Sequence, residues 1–153
     1  MVSYKKPFDR TLYKLADSKA KTVMSSWLIQ QGHEITDTKE NYTCDLVSVK
    51  DGQQYNSEVE IKYSWKGIWP STWDEIRIPF RKSRLLSIDN LTFYVLRSDC
   101  QQAWAINSDI LKTVATVKEV RNKFVQEGEE FFHIPVELAM LLDLNAGSPV
   151  FST

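Results

Sequence analysis

Asp51-Gly52, set between two runs of alternating apolar residues, is the feature that most limits how this 153-residue chain can fold. An Asp-Gly pair supplies the two left-handed backbone positions of a two-residue type I′ turn. The flanking alternation over Thr43 to Tyr63, TCDLVSVKDGQQYNSEVEIKY, therefore predicts a β-hairpin. Counting outward from the turn pairs Asp45 with Glu58 and Thr43 with Glu60, and side-chain alternation places Asp45, Glu58, Glu60 and Lys62 on one face. The opposite face carries Val59, Ile61 and Tyr63, which suits packing against a core. Carboxylates directly opposite one another repel, and diagonal neighbours lie within roughly 7–8 Å, so the acidic face needs compensation. A divalent cation provides it.

Asp45 on one strand and Glu60-Ile61-Lys62 on the next resemble the pattern of the PD-(D/E)xK nuclease superfamily, the restriction-endonuclease-like fold. Cys44 stands where many members of that superfamily have the proline before the aspartate. The acid-x-lysine element also occurs at Asp17-Ser18-Lys19 and Asp37-Thr38-Lys39, but only Glu60-Ile61-Lys62 lies in a β-patterned run with an acid on a partner strand. The resemblance spans residues 12 to 107 and is topological outside the hairpin. It implies a metal-dependent deoxyribonuclease, an endonuclease in which Asp45, Glu60 and Lys62 are catalytic. Glu58 either binds a second ion or holds a ligand water, or has a purely structural or solvent-facing role. Asp17 is either the acid that the leading helix of such folds contributes or a charge near a helix N-terminus.

The chemistry suits these groups. Hard Mg²⁺ or Mn²⁺ takes carboxylate and carbonyl oxygens and keeps several waters, so Asp45, Glu60 and the Ile61 carbonyl form a partial shell. Such an ion polarises a phosphate and acidifies bound water, while a lysine in the position of Lys62 orients that water and offsets transition-state charge. Other chemistries find less support. Two histidines, His33 and His133, and two cysteines at no metal-ligand spacing argue against zinc sites and a Ser-His-Asp triad. His133, within FFHIP, reads as a strand or core histidine. The glycines are scattered singly, without a phosphate-binding loop.

The net charge of −1 speaks mildly against nucleic-acid binding, yet the charge is unevenly distributed. Residues 62 to 84 hold Lys62, Lys66, Arg77, Arg81, Lys82 and Arg84 against only Asp74 and Glu75, whereas the chain after Lys123 contains acids and no Lys or Arg. A basic segment directly after the acidic strand is where phosphate contacts are useful, so Lys66, Arg81, Lys82 and Arg84 are the expected DNA-binding residues. Tyr63, Trp65, Trp69 and Trp73 surround Lys66 and Gly67 and either stack on bases or form the loop's own small core.

The remaining pattern predicts one α/β domain over 1–153, with a helix over 16–31 stopped by Gly32, a strand over 33–36, the hairpin and a helix over 79–87. Strands over 91–96 and 102–106 follow. This is an α-β-β-β-α-β restriction-endonuclease-like core with a central mixed sheet flanked by helices. The C-terminal EFFHIPVELAMLLDL predicts a strand followed by a short amphipathic helix. With 42% hydrophobic residues and no membrane-length apolar run, the expected setting is cytoplasmic with no membrane partner. DNA is the expected partner, and the resemblance adds a homodimer, since two strands must be cut. The alternative is a non-catalytic nucleic-acid or protein interaction module on the same fold.

Overall fold

The computed structural model describes residues 10–37, 44–62, 75–119, 129–145 and 148–150, with the side chains of 10–18, 37, 62, 119 and 148–150 left outside the description. Helix α1 (Arg10–Gln30) ends in a Schellman motif. The Gly32 and His33 amides, each at 3.0 Å, donate to the Ile29 and Leu28 carbonyls, and Gly32 adopts φ 95°, which a side chain would resist. The helix begins six residues before the predicted position. The chain then lays down β1 (Glu34–Asp37), β2 (Leu46–Lys50) and β3 (Gln53–Lys62) as an antiparallel meander.

The hairpin has the register that its turn requires. Asp51 and Gly52 have φ 53° and 78°, Lys50 pairs with Gln53, and the ladder runs unbroken to Leu46 opposite Ser57. Strand β4 (Glu75–Pro79) then leaves this sheet and leads into a 3-10 helix, Phe80–Leu85, where the sequence pattern predicts a longer helix. Pro79 precedes it without a side-chain cap, and 3-10 bonding, with its poorer geometry, suits only short runs. Strand β5 (Leu91–Arg97) returns parallel to β3, paired from Asn56–Leu91 to Lys62–Arg97. Strand β6 (Gln102–Asn107) follows antiparallel.

Helix α2 (Ser108–Thr113), capped by the Asn107 side chain on the Asp109 amide at 2.8 Å, was not apparent from periodicity. Strands β7 (Thr116–Glu119) and β8 (Glu130–Pro135) pair with β4 as a separate three-stranded sheet in the order β4-β8-β7. The C-terminal segment departs from expectation. After a 3-10 turn, Val136–Leu138, it forms β9 (Met140–Asp143), not an amphipathic helix, and β10 (Ser148–Val150) pairs beside it. A short apolar run is ambiguous by itself, and the open edge of β6 decides it by pairing Ala103 with Leu142 and Trp104 with Leu141. The larger sheet thus has seven strands in the order β1-β2-β3-β5-β6-β9-β10.

Each face of that sheet supports a core. Ala20, Met24, Trp27 and Leu28 of α1 pack on Leu46, Val59, Ile61, Tyr94 and Leu96. On the opposite face Phe93, Val95, Trp104 and Ile106 meet Ile76, Ile78, Phe132 and Ile134 of the smaller sheet. The expectation of helices on both faces is corrected here: α1 covers one face, and the second sheet with short helical segments covers the other. The alternation of Phe93 and Val95 with Tyr94 and Leu96 shows why β5 reads as a continuous apolar run.

A side chain at Gly52 would meet nothing within 4 Å, so substitution there isolates the backbone term. Gly52→Ala is expected to lose about 1 kcal/mol in urea denaturation, the strain of a left-handed alanine. An unchanged midpoint would show that the turn does not hold this conformation.

Candidate active site

Where β2 begins, the backbone bends at Asp45 and the ladder stops. One step beyond Leu46–Ser57, the carboxylates of Asp45 and Glu58 take over donors from the facing strand. Asp45 Oδ2 accepts from the Val59 amide at 2.8 Å, and Glu58 Oε1 accepts from the Asp45 amide at 3.2 Å. The two acids are therefore neighbours, as the register predicts, and both are buried, at 6% and 3% exposure. The expected common face is only partly realised. The bend turns Asp45 toward α1, with Oδ1 3.4 Å from Lys21 Nζ, while Cys44 joins the core on the other face.

Glu58 and Glu60 do share a face, and they share a cation. Lys82, carried by the 3-10 helix, places Nζ 2.5 Å from Glu58 Oε2 and 3.8 Å from Glu60 Oε2. Its side chain is 16% exposed, so the contact with Glu58 forms in a largely desolvated setting where charge-assisted bonds are strong. Burial raises Glu58 from its ordinary 4.5 to about 7, with the negative charge of Asp45 adding to the shift and Lys82 opposing it. The carboxylates around it, in turn, hold the Lys82 ammonium above the usual lysine range despite burial.

The predicted site residues separate into four groups. Asp45, Glu58 and Glu60 gather at one end of β3. Ile61 sends its side chain into the α1 core and pairs with Leu96 of β5. Lys62 ends β3 opposite Arg97, but its side chain, like that of Asp17, lies outside the described residues, as do Lys66 and the aromatic loop from Tyr63 to Trp73. Among the basic residues expected to meet DNA, Arg84 is exposed and Arg81 pairs with Glu129 at 3.1 Å, whereas Lys82 points inward at the acids. Sequence reasoning missed Lys21 and Lys82 as partners of the acidic residues. Only the position of Lys82 in the basic run hinted at it, and Lys21 carried no signal.

The oxygen-only donor set suits a hard divalent cation, and the ammonium between Glu58 and Glu60 shows that this position accepts positive charge. Among the described residues no three His, Cys, Asp or Glu side chains converge as a ligand set, so most of an ion's shell there would be water. His133 is a buried strand histidine, as expected, donating or accepting through Nδ1 with Glu75 at 2.8 Å. No described helix is long and apolar enough to cross a membrane. No protein-family description, curated protein or solved structure matches this chain.

Because its folded pKa is raised, Glu58 favours the native state below 4.5, and that contribution is lost as pH rises through about 7. Metal-free Glu58→Gln lacks this loss. Urea denaturation across pH is expected to show the wild type declining relative to the variant over that window by on the order of 1–3 kcal/mol. Parallel stability curves would mean that Glu58 ionises as freely as in water.

Proposed function

We propose that this chain is a metal-dependent endonuclease that hydrolyses DNA phosphodiester bonds. The observation that carries this reading is the convergence of Glu58 and Glu60, with Asp45 adjacent, on a single cation position at the end of a central strand. Isolated buried acids are costly, and two of them, Asp45 and Glu58, with half-buried Glu60 beside them, make a position that favours positive charge. The topology adds support. An α/β arrangement with a mixed central sheet, in which β5 runs parallel to β3, is compatible with the restriction-endonuclease-like core that the hairpin motif resembles.

In this reading Glu58 and Glu60 hold Mg²⁺ or Mn²⁺, with Asp45 alongside, and Lys62 at the end of the same strand orients the attacking water. The bound ion supplies Lewis-acid polarisation of the phosphate and a water of lowered pKa. Exposed Arg84, on the segment that carries Lys82, offers backbone phosphate contact, and a homodimer brings a second site for the second strand. One observation favours a non-catalytic interaction module instead: Asp45, Glu58 and Glu60 are all paired with internal lysines.

Supercoiled plasmid incubated with Mg²⁺, Mn²⁺ or EDTA separates the two. Nicking is expected only with metal, and Glu60→Gln and Lys62→Ala, each checked for a retained melting transition, are expected to lower its rate by about 100-fold or more. Absence of cleavage on plasmid, branched DNA, single strands and RNA alike would favour the binding module.

A further inference from the structure

Lys82 occupies the place that a metal ion in this site has to take. Its ammonium contacts the same oxygens, Oε2 of Glu58 and Oε2 of Glu60, that face a common cation position. An ammonium and a divalent ion of like sign cannot share those oxygens in a low-dielectric setting. The lysine head therefore has to leave when the ion enters, and its flexible stem permits that while the segment that carries it stays in place.

The segment Phe80–Leu85 is a 3-10 helix without a side-chain cap, and Leu85 is its buried residue. Leu85 anchors the segment in the core and Phe80 packs on Phe132 with ring centroids 5.1 Å apart, so the displacement falls to the lysine side chain and not to the segment. A lysine stem has four rotatable bonds, and its head is strongly hydrated once released. Outside the site it adds to exposed Arg84 on the same segment, where Arg81 is already paired with Glu129, as a cation of the kind that phosphate groups meet.

We propose that Lys82 is a resident counter-ion that holds the Glu58–Glu60 position until a divalent cation displaces it, so that loading of the site is a competition inside the protein and frees the lysine toward the phosphate side. This rests on reading the acidic cluster as a divalent-cation site. It assigns Lys82 a positioning role toward the ion, distinct from the role of Lys62.

The test titrates Mn²⁺ into the full chain without nucleic acid and follows free Mn²⁺ by electron paramagnetic resonance. Wild type is compared with Lys82→Met, with Lys82→Gln, which keeps a hydrogen-bond donor for Glu58, and with Lys82→Arg, which keeps the charge. The neutral variants are expected to bind Mn²⁺ about tenfold or more tightly than wild type, whereas Lys82→Arg stays close to it. Thermal denaturation provides a second readout, because Mn²⁺ raises the melting temperature of a neutral variant more than that of wild type. Equal or weaker binding by both neutral variants overturns the competition and leaves the metal site standing. Absence of Mn²⁺ binding in all four proteins overturns the metal site itself, and this proposal with it.

Discussion

Strand β3 is hydrogen-bonded on both sides, to β2 through the hairpin and to β5 in parallel, with Val59 and Ile61 packed in the α1 core and Lys82 set over Glu58 and Glu60 on the other face. Much of the molecule follows from that position. A buried side chain on β3 must find a partner within the protein, and three of its described buried residues are polar: Asn56, Ser57 and Glu58. Asn56 meets the constraint by donating to the Asp89 carbonyl at 2.7 Å and pinning the turn that feeds β5. Glu58 meets it by recruiting Lys82 and the Asp45 amide. The 3-10 helix and the bend before β2 lie where they do because a central strand carries charge.

Lysines on two different layers neutralise the acids. Lys21 reaches Asp45 from α1, and Lys82 reaches Glu58 and Glu60 from the side of the smaller sheet. The acidic end of the hairpin is thus gripped from both faces of the sheet. A pair broken on one side leaves a buried charge uncompensated, which costs far more than the intact pair contributes.

The hairpin was legible in the sequence because its determinants are local. Asp51-Gly52 defines the turn, and the turn defines every facing pair out to Leu46–Ser57. The adjacency of Asp45 and Glu58 followed from the same count. The stop at Gly32 and the strands at Leu91–Arg97 and Gln102–Asn107 were legible for similar reasons, each carrying its own punctuation or apolar run. The bend at Asp45 was not, because alternation describes only residues still in the ladder. Met140–Asp143 became a strand through the edge of β6, far away in sequence, and no local pattern encodes that edge. Lys82 resembled its neighbours Arg81 and Arg84 in sequence, and only the approach of the 3-10 helix to β3 distinguishes them.

Neither sheet is made from a contiguous stretch of chain. Strand β4 leaves the larger sheet's run to join the smaller one, and β9 returns from the smaller sheet's run to complete the larger. The edge of β6 therefore waits for its partner until after β7 and β8 have been passed, and β3 waits for β5 across the whole excursion through β4. Interleaving of this kind ties the layers into one kinetic unit. The hairpin can close early from nearby residues, but the acid–lysine cluster at its far end assembles only with the long-range pairings that come late in folding.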